Sequence, residues 1–344
     1  MRTFKLIFLA KSFTSAIYIP PDENDDFRIE RNLPTNHLNF SILGDWGGFP
    51  KPWFTTPIQQ SAAKLLGPIS TDYNSQFNLA IGDNFYFRGV KDVRDEMWFK
   101  TFENVYTHKS LQIPWYPLFG NHDWQGNVSA QIDYSRFSNR WTAPNFWYTL
   151  DYTFGDPGQE KQTQVRFLMI DAPIQCDSGK YDKYYPYDYP TKPTLEQKAD
   201  QLKWLEQELI SSAKFEYVFV VSHYQIHTPN SHYSCMDEID ELLVKYDVTA
   251  FLYGHAHELA HSVNKKTGVN YLCSGIGALI EPGGGARDNS KVEVKYFWRR
   301  LRHLKGGFVM GQIGQEEAVF RYYLAESSDN DHVPVYETSL KGRK

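Results

Sequence analysis

The sequence predicts an α/β fold in one domain, with mixed β-sheets and helices packed outside them. Three observations carry this. Short apolar runs closed by glycine alternate with amphipathic helical stretches through the middle of the chain. The end is all strand, with Gly307 to Ile313 and Ala318 to Tyr323 reading as a closing hairpin. No repeat, low-complexity tract or linker divides the 344 residues, and 41% hydrophobic and 16% aromatic content supplies ample core material.

Residues 1–37 read as leader and surface arm. Arg2 and Lys5 precede the apolar Leu6 to Ala10, and Ser15 and Ala16 suit a cleavage site, a signal-peptide outline that Lys11 interrupts. An acidic run from Asp22 to Asp26 follows Pro20-Pro21. Phe40 to Leu43 is a short strand ending in GDWGG. Thr55 to Leu66 has helical spacing, with Ile58, Ala62, Leu65 and Leu66 on one face and Gly67-Pro68 as the stop. Phe77 to Ile81 is the second strand, ending in GDN. Asp92 to Tyr106 is helical, burying Trp98, Phe102 and Val105. Trp115 to Phe119 is the third strand, ending in GNHD, and Ser129 caps a helix to Trp141.

Val165 to Ile170 is the fourth strand. The stretch from Gln175 to Pro193, rich in Tyr, Asp, Lys and Pro, has no period and exceeds an ordinary connection, a length typical of functional or disordered loops. Thr194 caps an amphipathic helix to Ser212 that presents Leu195, Ala199, Leu202, Leu205 and Leu209. Tyr217 to Val221 is the fifth strand, ending in SHYQIH. Met236 to Tyr246 is helical, and Val248 to Tyr253 is the sixth strand, ending in GHAHE. Val269 to Cys273 follows as a strand and Gly275 to Gly285 as a loop. The domain thus spans 38–325, and 326–344 is a C-terminal tail.

Composition excludes several function classes. The net charge is −5, and the sole basic patch is Arg299, Arg300, Arg302 and Lys305, so no nucleic-acid or anionic-membrane partner is indicated. No apolar run approaches the roughly 20 residues that span a bilayer, so the chain is not an integral membrane protein. Three cysteines allow one disulfide and one free thiol. Cys176 and Cys235 lie in polar, loop-like segments and would pair in a secreted chain, whereas Cys273 sits in an apolar run as a buried thiol. Asn127-Val128-Ser129 is a glycosylation sequon. Asn39-Phe40-Ser41 falls inside a buried strand and is discounted.

Five strand ends carry ligand-type residues: Gly44-Asp45-Trp46-Gly47, Gly82-Asp83-Asn84 with Tyr86, Gly120-Asn121-His122-Asp123, Ser222-His223 and Gly254-His255-Ala256-His257. Ligands of sheet proteins bind beyond the carboxyl ends of strands, where such side chains converge. The collected donors are hard to borderline oxygens and nitrogens, suited to iron, manganese or zinc. They suffice for two ions about 3.5–4 Å apart sharing a carboxylate.

GDWGG, GDNFYFRGV, GNHD, SHYQIH and GHAHE together resemble the five-block signature of the metallophosphoesterases. The spacing of Tyr86 is similar to that of the purple acid phosphatases, and PWYPLFGNHDWQGNVSAQIDYS resembles their short animal form, the tartrate-resistant acid phosphatases. The resemblance covers roughly Phe40 to Tyr323. It implies two mixed β-sheets packed as a sandwich with α-helices on both outer sides. It also implies that Asp45, Tyr86 and His257 hold a ferric ion, that Asp83 bridges, and that Asn121, His223 and His255 hold a divalent iron, zinc or manganese ion. His122 and His232 would face the substrate phosphate.

The implied activity is acid phosphatase: a metal-bound hydroxide attacks the phosphorus of a phosphate monoester, small molecule or phosphoprotein. Cys176 and Cys235 fall where the family has its disulfide, which implies a secreted or lysosomal chain, expected as a monomer. The Gln175 to Pro193 stretch falls where the family has a loop that covers the site. Ala256 and Glu258 depart from the family's usual GHDHN and replace no ligand; an effect on hydrogen bonds that orient the histidines is expected. Two alternatives stand beside this reading. A manganese or zinc phosphodiesterase or nucleotide hydrolase of the same superfamily would lack Tyr86. An inactive binding protein retaining the fold would have lost ligands, and none is missing.

Overall fold

The computed structural model describes residues 27–155, 162–179, 191–228, 232–280, 291–299, 305–325 and 332–343. The signal-peptide segment, most of the Tyr-rich stretch and the patch at Arg300 and Arg302 lie outside the described residues. In chain order the first half contains β1 (Arg28–Leu33), β2 (Leu38–Leu43), α1 (Pro57–Asp72), β3 (Phe77–Ile81), β4 (Trp115–Leu118), α2 (Asn121–Trp124), α3 (Val128–Asp133), β5 (Tyr148–Phe154) and β6 (Thr163–Met169). The second half contains α4 (Ala172–Asp177), α5 (Leu195–Ser211), β7 (Tyr217–Val221), α6 (Asp237–Lys245), β8 (Ala250–Tyr253), β9 (Leu259–Asn264), β10 (Asn270–Ser274), β11 (Val292–Trp298), β12 (Gly307–Ile313), β13 (Glu317–Leu324) and β14 (Tyr336–Lys341).

Two sheets result. One has eight strands in the order β1-β5-β6-β7-β8-β10-β9-β11, and the other six in the order β14-β13-β12-β2-β3-β4. The period-2 alternation of each strand sorts its side chains between two layers. In β7, Tyr217, Phe219 and Val221 enter the core between the sheets, and Val218 and Val220 face the outer helices. The inner core is aromatic: Phe40 of β2 meets Phe167 of β6 edge-on at 5.1 Å, and Phe219 meets Phe320 of β13 at 5.7 Å. Leu66 and Ile69 of α1 cover the outside of the six-stranded sheet, and Leu205 and Leu209 of α5 with Ile239 and Leu243 of α6 cover the eight-stranded one. The expected sandwich with helices on both sides is therefore the observed fold.

β2, β3 and β4 are mutually parallel, as are β6, β7 and β8. The loops after β2, β3, β4, β7 and β8 carry the five motifs.

Several elements differ from the sequence expectation. α1 runs through Gly67-Pro68 to Asp72, because Ile69 and Ser70 on its next turn are also buried. Of the stretch from Asp92 to Tyr106, only a π-helical turn at Trp98–Glu103 forms. The third helix begins at Val128 under an Asn127 cap, not at Ser129, and ends at Asp133. Leu195 is 66% exposed, so the buried face of α5 is centred on Gln201, Leu205, Glu208 and Leu209.

Strands β1 and β14 fall in the segments read as arm and tail, outside the span 38–325. β1 is polar and is pinned by ions: Arg28 pairs with Asp151 at 2.7 Å and with Glu208 at 2.7 Å, and Arg166 bridges the same two carboxylates at 2.7 and 3.1 Å. β14 pairs along β13 and stacks Tyr336 on Tyr296 at 4.6 Å. Cys176 and Cys235 form the expected disulfide, and Cys273 is the buried free thiol. No helix among the described residues is long and apolar enough to cross a membrane.

Candidate metal centre

Each motif turns its ligand-type side chain inward at the moment its strand ends. Four of these residues adopt left-handed backbone: Asp45 (φ 55°), Asp83 (φ 51°), His255 (φ 64°) and His257 (φ 42°). Non-glycine residues rarely sit there, and such conformations persist only where surrounding bonds over-determine them. Here Asp45 N–H donates to Gly82 O at 3.0 Å and His255 N–H to Asp45 Oδ2 at 2.7 Å. The preceding glycines make room. Gly82 has φ +91°, and a Cβ on it would lie 2.5 Å from the His223 ring. A Cβ on Gly120 would collide with Asp83 Oδ1.

The ligand atoms converge as two groups. Asp83, His223 and His255 form one, and Asp45, Asp83 and His257 the other, with the ligand atoms of each group all within 4.8 Å of one another. Asp83 belongs to both. Tyr86 joins the second group: its hydroxyl donates to Asp45 Oδ1 at 3.1 Å and lies 2.9 Å from His257 Nε2. Asn121, 1% exposed, has neither carboxamide atom hydrogen-bonded among the described residues. His223 Nδ1 is 2.9 Å from Ile81 O, which fixes its proton there and turns Nε2 toward Asp83 Oδ2 at 3.3 Å.

Residues 39–259 match the calcineurin-like phosphoesterase family profile. The chain is 36% identical over 314 residues to tartrate-resistant acid phosphatase type 5 of Oryctolagus cuniculus, covering 90% of this chain and 92% of that protein. This chain belongs to the purple acid phosphatases. It is also 28% identical to purple acid phosphatase 7 of Arabidopsis thaliana, over 83% of this chain and 82% of that one. Among solved structures, GAP50, the anchor in the inner membrane complex of Plasmodium, shares the fold, with a TM-score of 0.73, 22% identity and 90% of each chain covered.

As a purple acid phosphatase the chain is a phosphoric monoester hydrolase, and its family carries a dinuclear metal centre. The residues present fit such a centre. Buried carboxylates are tolerated only when paired or ligating, and Asp45 and Asp83 are both within 1% of full burial. Burial alone would raise the Asp83 carboxyl, but the charges of His223 and His122 outweigh it and hold it well below the usual carboxylate range. Burial lowers His223, yet Asp83 and Asp45 raise it to about 9. The pocket is therefore built to attract positive charge. Burial, and then Asp45 and Asp83, push the Tyr86 phenol well above its ordinary value, so only a strongly charged cation beside it would release its proton.

His122 sits at the mouth of this cluster. Its N–H donates to Asp83 Oδ1 at 2.9 Å and its Nδ1 lies 2.8 Å from Phe87 O. His232, in contrast, is not brought to the cluster by any of its described contacts. Its Nε2 is 2.6 Å from Asp237 Oδ1, and its ring stacks on His227 at 4.7 Å. The neighbouring Tyr233 reaches inward instead, placing its hydroxyl 3.0 Å from His255 Nε2.

The role of one further residue escaped the sequence reading. Asp123 accepts from Asn84 N, Gly120 N and Gln131 Nε2 at 3.1, 2.9 and 2.8 Å, tying the second and third motifs together. Burial, with the Asp83 charge nearby, raises it to about 6. Its place in GNHD was the available signal. Glu258, the departure from the family pattern, directs its carboxylate at Arg299, 3.7 Å away, and its backbone oxygen accepts from Gly275 N at 3.0 Å.

Proposed function

We propose that this acid phosphatase uses a ferric ion held by Asp45, Tyr86 and His257 and a divalent iron, zinc or manganese ion held by Asn121, His223 and His255, with Asp83 between them. One observation carries the reading: Asp83 is the only residue common to both ligand groups, and the Tyr86 hydroxyl lies within the group that also contains Asp45 and His257. Two ions bound there supply Lewis acidity, making a water more acidic and neutralising charge on the phosphoryl oxygens.

The chain's own residues supply the rest. The Nδ1–H of His122 is engaged by Phe87 O, so the chemistry of this ring runs through Nε2. There it binds the phosphate of a monoester and, when protonated, gives its proton to the departing alkoxide. His232, whose Nε2 lies 2.6 Å from Asp237 Oδ1, would act on the phosphate through Nδ1, a role that only the family resemblance supports. The substrate is a phosphate monoester, carried by a small molecule or a phosphoprotein, and the Cys176–Cys235 bridge supports a place in the secretory pathway.

Tyr86 separates this reading from a manganese or zinc phosphodiesterase, and the complete ligand set separates it from an inactive scaffold. The test is hydrolysis of phenyl phosphate and of a phosphodiester by the metal-loaded protein. Monoester hydrolysis with negligible diester hydrolysis supports the proposal, and the reverse preference overturns it.

A further inference from the structure

The loop after β2 runs Phe49-Pro50-Lys51-Pro52-Trp53, and the scheme above does not use it. Trp53 is 71% exposed, and no large apolar side chain among the described residues is more so. Phe49, partly exposed, stacks on the exposed Phe87, with ring centroids 5.2 Å apart and planes inclined by 24°. The next residue, Phe54, anchors the loop. It is buried, its carbonyl accepts from Thr101 Oγ1 at 2.8 Å, and Lys100 Nζ lies 4.1 Å from its ring centroid. Pro50 and Pro52 have a fixed φ and no N–H, so the tip is stiff and has few donors that require water. Lys51 and Arg88 are exposed, and neither has an ion-pair partner among the described residues. Glu96 is close enough to feel the charge of Lys51, but Lys100 already holds it at 2.8 Å.

A single exposed aromatic side chain is ordinary. Here one short loop and the neighbouring Phe87-Arg88 gather three aromatic rings, two prolines and two cations. We infer that this tip docks on the surface of an anionic lipid bilayer, with its rings at the level of the headgroups and Lys51 and Arg88 against the lipid anions. Aromatic rings favour that interface, and each cation near an anionic leaflet adds to the attraction. Size favours a bilayer over a protein partner. A stable protein interface takes about 20–30 residues from each side, many more than this tip supplies, whereas a bilayer requires no matching shape. The net charge of −5 opposes attraction of the chain as a whole, but at physiological salt charges beyond about 8 Å are largely screened. The Phe87 ring is 5.8 Å from that of His122, so docking sets the mouth of the metal centre beside the bilayer surface. The contact is peripheral and does not rest on the phosphatase reading.

Co-sedimentation of the metal-loaded protein with phosphatidylcholine vesicles, with and without phosphatidylserine, tests this at neutral pH. The parent should bind the vesicles that contain phosphatidylserine, with tryptophan emission moving to shorter wavelength, and added salt should release it. Lys51→Gln and Arg88→Gln should each weaken binding about 5-fold, the worth of one cation at such a surface. Trp53→Ser should weaken it about 10-fold and abolish the emission shift. Phe137→Ser removes a ring that is 67% exposed and belongs to another loop, and it should leave binding unchanged. All four variants should hydrolyse soluble phenyl phosphate at the parent rate, so that a change in binding reports the tip and not the centre. No binding by the parent, binding indifferent to phosphatidylserine, or equal losses in Trp53→Ser and Phe137→Ser would each overturn the proposal. Self-association in the ultracentrifuge that Trp53→Ser abolishes, with vesicles ignored, would assign the tip to a second copy of the chain and overturn it too.

Discussion

The hydroxyl of Tyr233 lies 3.0 Å from Nε2 of His255. His255 is one of the three residues of the first ligand group, so Tyr233 holds the imidazole by its outer nitrogen and presents the other to an ion. Partners of this kind are worth about 10- to 100-fold in metal affinity. Tyr233→Phe should therefore weaken retention of the divalent ion by that factor, measured by dialysis against chelator with both metals counted. His232→Ala, one residue away, should leave retention unchanged. Equal loss in both would mean that the loop as a whole, and not the Tyr233 hydroxyl, supports the site.

His122 meets the cluster through its backbone N–H, which donates to Asp83, and through its ring, which packs edge-on against Tyr86 at 4.7 Å. In His122→Ala both ions should remain, because its N–H to Asp83 survives. The value of kcat for an alkyl phosphate should fall about 10²- to 10⁴-fold, the usual worth of a positioned proton donor. Single-turnover rates with the metal content of the same sample check this, and an unchanged rate would remove His122 from the scheme.

Asp83 belongs to both ligand groups, and no other residue does. Asp83→Ala should lose both ions together and all activity, whereas Asn121→Ala should lose one preferentially. Elemental analysis of the two purified variants distinguishes these outcomes.

The Cys176–Cys235 bridge closes a loop of 59 residues that includes the whole of α5 and β7. In the chain-entropy account, a loop of that length contributes about 4 kcal/mol. Replacing both cysteines by alanine should lower unfolding stability by about 2–4 kcal/mol in denaturant titrations. The protein should still bind metal, since neither cysteine belongs to a ligand group. A change below about 0.5 kcal/mol would show that the bridge constrains little of the unfolded chain.

The site was legible because its chemistry forces local sequence. Asp45, Asp83 and His255 take left-handed backbone in crowded surroundings, and a glycine precedes each of them, as one also precedes Asn121, in the sequence itself. The buried central strands were legible for the same reason: β2, β3 and β7 are short apolar runs. The edges were not. Arg28–Leu33 and Tyr336–Lys341 are polar, and their strand character comes from partners more than 100 residues away in β5 or from the adjacent β13. Pro68 read as a stop because the sequence cannot show that the next turn is buried. His232 and Tyr233 are adjacent, and spacing alone cannot say which of two neighbours in a loop turns inward.

The central claim is that Tyr86 stands beside a ferric ion at a two-metal site. It is tested most directly by the visible absorption spectrum of the purified protein, with iron, zinc and manganese counted on the same sample. Two metal ions per chain, at least one of them iron, with a broad tyrosinate-to-iron absorption band that Tyr86→Phe abolishes, is the expected result. A protein that binds two zinc or manganese ions and stays colourless after iron loading and oxidation would contradict the account and favour the phosphodiesterase-type alternative.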